Sequence, residues 1–138
     1  MNVYYVKYDT TTGQIFSSGN TQATAIEGRD GFMIVDGPVD NTLYKVENQQ
    51  IVPLPPSPGS DYVYNFTTNQ WEINLPLVTG QVLQQRSDLL YASDWTQIPN
   101  GPLTPTQQTA WATYRQELRD ITSQPGYPTN VVWPTPPA

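Results

Sequence analysis

Along the first seventy residues, apolar and polar positions alternate in short runs broken by turn formers. Asn2–Asp9 (NVYYVKYD) mixes Val and Tyr densely and predicts a strand. Thr10–Gly13 then predicts a turn and Gln14–Ser17 a return strand. Phe32–Val35 is a third apolar run, closed by Asp36-Gly37-Pro38. Thr42–Val46 alternates, Glu47–Gln50 turns the chain, and Ile51–Leu54 returns. Pro53 has no amide proton for a ladder, so that strand is an edge or ends there. Tyr62–Phe66 and Gln70–Ile73, joined by Thr67-Thr68-Asn69, predict one more hairpin. Ahead of that hairpin, Pro53–Gly59 (PLPPSPG) reads as a stiff extended spacer between modules.

The period then changes. Val78, Val82, Leu89 and Ala92, with Leu83 and Leu90 beside them, fall at helical spacing between Leu77 and Ser93. Pro99–Pro102 breaks the pattern. A second helix starts with strong local signals: Thr104 as N-cap, Pro105 at the first helical position and Gln107 three residues after the cap. Trp111, Tyr114, Leu118 and Ile121 form one apolar stripe, and Gln124-Pro125-Gly126 ends the helix near Ser123. The tail through Val131, Trp133 and Pro134 is expected to be extended. The fold class is therefore α+β: a small antiparallel β module of short hairpins over residues 1–74, then a two-helix hairpin with an extended Trp-Pro tail over 75–138. Trp95, Trp111 and Trp133 are expected to share one small core between the helices and the tail.

Composition narrows the chemistry. The 138 residues include no cysteine and no histidine, which removes disulfides, thiolate sites and the commonest general base and metal ligand. The net charge is −6. Most of it lies in residues 1–74, where Lys7, Arg29 and Lys45 face eight acidic residues. An acidic surface repels phosphate backbones, so no nucleic-acid partner is expected. The N-terminus lacks a basic region followed by an apolar run, and no apolar stretch approaches a membrane span, so the chain is expected to fold in a cytoplasm. Asp36 with Asp40 and Glu27 with Asp30 are carboxylate pairs, but nothing near them suggests a raised pKa or a sugar-cleaving cleft. Neither is there a calcium-loop ligand series or a phosphate loop. The chain is expected to have no catalytic residue, no metal and no cofactor, and to act by binding.

The order of motifs from Arg86 onward resembles the phage tail assembly chaperone-like domain. Arg86-Ser87-Asp88-Leu89-Leu90 is followed by Ser93-Asp94-Trp95-Thr96-Gln97, and then by the capped helix with Trp111, Tyr114-Arg115-Gln116 and Leu118-Arg119-Asp120-Ile121. Pro125-Gly126-Tyr127-Pro128 and Val132-Trp133-Pro134 close the series. Asp36–Asp40, Leu43-Tyr44, Pro55-Pro56 and Phe66 with Trp71 resemble the small β module often found ahead of that domain. The resemblance implies a tail accessory protein that binds a tail-fibre or baseplate protein and aids its folding or attachment. It implies work in the host cytoplasm during assembly or retention in the virion tail. A purely structural subunit of the fibre, tip or baseplate is the alternative, with self-association inside the assembly left open.

Two sets of residues follow. Tyr4, Tyr5, Tyr62, Tyr64 and Trp71 are candidate partner contacts, because rings on both faces of strands cannot all be core in so small a module. Arg86, Asp94, Trp95, Trp111, Tyr114, Arg115, Arg119, Asp120 and Trp133 are candidate motif residues. For the arginines two readings are open: bidentate recognition of a partner, or binding to Asp94, Asp88 or backbone carbonyls that locks the hairpin. The second is the expectation, since the acids belong to the same motif.

Overall fold

A computed structural model describes all residues, Met1 to Ala138, as seven strands, two α-helices and short 3-10 turns. The chain divides into two compact units, Met1–Glu72 and Ile73–Ala138.

In the first unit, β1 (Asn2–Tyr8), β2 (Ile15–Gln22) and β3 (Phe32–Val35) form a sheet of order β2-β1-β3, with both pairings antiparallel. The β1–β2 register slips between Lys7 and Tyr8: Lys7 faces Ser17, Tyr8 faces Ile15, and Phe16 is the extra residue. The turn between them is set by Asp9, whose carboxylate accepts from the amides of Thr11 and Thr12 at 2.8 Å each. Those bonds hold the Asp9 carboxyl below its usual range, the Thr12 amide contributing most and Thr11 next. Gly13 closes the turn at φ 74°, a left-handed conformation that disfavours side chains. Its carbonyl then accepts from Val46 N at 2.9 Å, tying this turn to the next sheet.

That sheet is β4 (Tyr44–Glu47) with β5 (Gln50–Pro53), antiparallel, Glu47 opposite Gln50. Asn48 and Gln49 have φ of 51° and 57°, as a type I′ hairpin turn requires. β5 stops at Pro53, where the missing amide ends pairing. Val6, Ile15 and Val46 form the buried centre, with Tyr8, Met33, Val35, Val39, Tyr44 and Ile51 packed around it. On β1, Val6 lies opposite Met33 and faces this core. The adjacent Tyr5, opposite Gly19 and Ile34, projects from the other side.

β6 (Tyr62–Asn65) and β7 (Gln70–Ile73) make a further two-stranded sheet. Its turn is fixed by the Asn65 carboxamide oxygen, which accepts from Thr67 N and Thr68 N at 2.9 and 3.1 Å. The proline-rich segment after β5 is not a spacer between modules. It connects β5 to β6 inside the first unit, and Trp71 Nε1–H donates to the Pro55 carbonyl at 3.0 Å. A polyproline segment leaves its carbonyls free, so an indole N–H is a natural partner.

In the second unit, α1 spans Leu75–Ala92 and α2 spans Pro105–Asp120, with 3-10 turns at Asp94–Gln97 and Ile121–Ser123. Thr104 and Gln107 form the reciprocal capping box that their spacing predicts. α1 is capped by Asn74, whose side chain accepts from Leu77 N at 3.2 Å. The core is Tyr114, Leu118 and Ile121, with Val82, Leu89 and Leu90 from α1 and Tyr127, Val131 and Trp133 from the tail packed against it. The extended tail is held by Gln124, whose carboxamide both donates to Val132 O and accepts from Val132 N, each at 2.8 Å.

Candidate docking surfaces

Arg115 is the central polar group of the helical unit. Its Nη1 donates to Leu90 O at 2.6 Å and Ser93 Oγ at 2.8 Å, and its Nη2 to Asp94 Oδ1 at 2.7 Å. The sequence places an apolar stripe on α2 and Arg115 beside it, next to Tyr114, so the guanidinium reaches the C-terminal end of α1. There it adds a charged donor to the Leu90 carbonyl, which the Ser93 amide also reaches at 3.2 Å. Ser93 and Thr96, both buried, complete the corner: Ser93 Oγ donates to Leu89 O at 2.8 Å, and Thr96 Oγ1 to Ser93 O at 2.6 Å. Neither is among the candidate site residues of the sequence, although the Ser-Asp-x-Thr string directly after a helix end carries the signal, because side chains there replace lost backbone bonds.

The other motif residues divide. Tyr114 is buried in the core, and its ring meets Trp111 edge-on at 5.5 Å. Trp111 and Trp133 are half-buried against that core. Trp95 is not a core residue: it is 46% exposed and leans on Trp111 with ring centres 6.1 Å apart. The core is therefore aliphatic and tyrosyl, and the tryptophans form its rim. Arg119 and Asp120 do not lock the hairpin. Both are exposed, and each bonds Gln116 on the same helix. Arg86 is half-buried on α1, and its Nε is buried with no hydrogen-bond partner.

The tyrosines of the first unit also separate. Tyr4 and Tyr62 are exposed. Tyr5 is half-buried, lying over Gly19 and 5.8 Å from the Phe32 ring. Tyr64 is not available to a partner: it is only 7% exposed, gripped edge-on by Phe66 at 5.0 Å and Trp71 at 5.3 Å. Trp71 is half-buried and holds the proline segment, so it is structural on at least one edge. Tyr4 and Tyr5 sit on the three-stranded sheet, while Tyr62 and Trp71 sit on β6 and β7.

Further apolar side chains are exposed. On α1 these are Leu75, Leu77, Leu83 and Tyr91, the last 82% exposed; no α1 residue is fully buried. Phe16 and Ile34 are exposed on the first sheet, and Val63 on β6. β2 is an eight-residue strand with a single sheet neighbour and no charged residue or proline, so along its edge the bulge at Phe16 and the Ser18 bond to Val39 O stand in place of charge or proline. No group of three or more acidic side chains gathers as a metal site, and no helix is long and apolar enough to cross a membrane.

Fold and surface together define a small α+β protein rich in uncovered contact surface. Residues 80–138 match the family model described as phage tail assembly chaperone protein. The matched segment is most of the helical unit and less than half of the chain, and the resemblance read from Arg86 onward is borne out over it. The family points to a helper role in phage tail assembly. No curated protein and no solved structure matches the chain.

Proposed function

We propose that this protein is a tail accessory protein that binds a tail-fibre or baseplate protein and aids its folding or attachment, without turning over a substrate. The observation that carries the reading is the family match over residues 80–138. The exposed side chains of α1 supply a mode: Leu77, Leu83 and Tyr91 cover apolar surface on the client. Binding of the client's native or near-native form then favours it by mass action. In the first unit the uncharged edge of β2 accepts an extended strand of the partner, with Tyr4 beside it. The acidic first unit is not suited to nucleic acid, and the partner is a protein.

Co-expression with each tail-fibre and baseplate protein of the same phage, followed by pull-down, tests this. One of them should be retained and become more soluble. Tyr91→Ser, far from any core, should leave the fold intact and weaken retention. Failure to retain any tail protein would overturn the proposal. Mass spectrometry of purified particles decides the fate of the protein: absence marks a transient helper, and stoichiometric presence a subunit kept in the tail.

A further inference from the structure

The first unit contains a polar cavity of about 610 Å³ in which three hairpin turns converge. The β1–β2 turn contributes Thr10 to Gly13, the β4–β5 turn Asn48 and Gln49, and the β6–β7 turn Thr67 and Asn69. Rings of Tyr8 and Phe66 also line it. We propose that this cavity binds a neutral saccharide, independently of the helical unit's role in assembly.

Four observations carry the inference. The cavity is braced: Val46 N donates to Gly13 O at 2.9 Å, and Lys45 Nζ to Asn69 Oδ1 at 2.8 Å, so the first and third turns are both tied to β4. A pre-formed site avoids the ordering cost of binding. The Lys45 side chain is only 11% exposed, and its ammonium meets two acceptors, Glu47 Oε1 at 3.3 Å and Asn69 Oδ1. An ammonium carries three donors, which leaves one for a ligand oxygen.

Charge selects against anions. Lys45 is the one cationic side chain of the lining, against Asp30 and Glu47, and Glu47 pairs with it, so the walls are net negative. Carboxamides and hydroxyls that donate and accept at once match vicinal hydroxyls.

A ¹⁵N NMR titration of the full chain with glucose, galactose and N-acetylglucosamine, each to about 100 mM, tests the site, since a ligand this small binds on the order of millimolar. Glycerol serves as the polyol control. Saturable shifts with at least one sugar are expected at the amides of Gly13, Asn48, Gln49 and Asn69, and none with glycerol. Lys45→Met should weaken binding about fivefold or more, the effect of one lost hydrogen bond. Asn48→Gly, which keeps the left-handed turn, is the second variant and should weaken it too. No saturable shift with any of the three sugars, the same shifts with glycerol, shifts away from the cavity, or parental affinity in both variants would overturn the proposal.

Discussion

Replacing Arg115 by Met separates two explanations of the helical corner, a surface ion pair and a clamp on backbone. The guanidinium side chain is 10% exposed, whereas the Asp94 carboxylate is 61% exposed and can return to water. An exposed pair of this kind contributes about 0.5 kcal/mol and is screened by salt. The buried end differs. Leu90 O and Ser93 Oγ accept charge-assisted bonds at 2.6 and 2.8 Å, each contributing roughly 1.5–3 kcal/mol at most. Leu90 O keeps the Ser93 amide as a donor at 3.2 Å, so the variant leaves no bare carbonyl. Met also removes a buried Nε that has no acceptor. The net cost of Arg115→Met is then about 2–3 kcal/mol, and that of Asp94→Asn about 0.5 kcal/mol. Urea unfolding followed by tryptophan fluorescence in a Trp71→Phe background reports the helical unit alone, because Trp95, Trp111 and Trp133 all lie there. Equal costs for the two variants, or loss of the Arg115 effect in about 1 M sodium chloride, would refute the clamp.

Leu118, fully buried at the centre of the helical core, should lose about 3 kcal/mol on truncation to Ala, while Tyr91→Ala should change stability by less than about 0.5 kcal/mol; the same urea assay reads both. Gly13→Ala should cost at least about 3 kcal/mol, because the new methyl falls on the Val46 carbonyl at a positive φ. Gly28→Ala is its control: φ is 71° but nothing lies nearby, so only about 1 kcal/mol is expected in thermal unfolding. Asp9 stabilises its turn only when ionised. Its folded pKa is lowered, so that contribution is complete above the unfolded value and is lost as pH falls through the folded one. The amide resonances of Thr11 and Thr12 should therefore hold from neutral pH to about pH 4 and move together below it; an Asp9→Asn protein should show no such step.

Local chemistry was legible in the sequence and tertiary choice was not. Thr104, Pro105 and Gln107 act within one turn of chain, so the start of α2 could be read directly. The partners of Arg115 could not be fixed in that way, because Leu90 and Ser93 lie more than twenty residues away and compete with Asp88 as acceptors. Tyr62 and Tyr64 sit two apart and so share a strand face, yet only Tyr64 is enclosed, because Phe66 and Trp71 arrive from the turn and the next strand. Alternation reports a face, not what covers it. The proline segment misled for a related reason: its stiffness is local, but its place inside the first unit depends on the indole of Trp71, sixteen residues on. The cavity is not legible in the sequence because it is made of three turns, each of which reads as ordinary solvent-facing polarity.

α1 and α2 share a core unequally, and Arg86 explains why. α2 supplies the buried Tyr114 and Leu118, whereas α1 offers only the half-buried Val82, Leu89 and Leu90. Arg86 lies four residues after Val82 and three before Leu89, so it interrupts the apolar stripe at a position that faces the core. Its buried Nε without an acceptor costs about 1 kcal/mol or more relative to an apolar replacement of equal length. Arg86→Met should therefore raise the urea midpoint of the helical unit and slow hydrogen exchange along α1. If the guanidinium instead awaits a carbonyl or carboxylate on the bound tail protein, the same variant should weaken retention in the pull-down while being the more stable protein. Stability and association moving in opposite directions would mark Arg86 as kept for binding. A less stable Arg86→Met protein would show that the side chain is held by an acceptor within the fold, and the argument from its unpartnered nitrogen would fail.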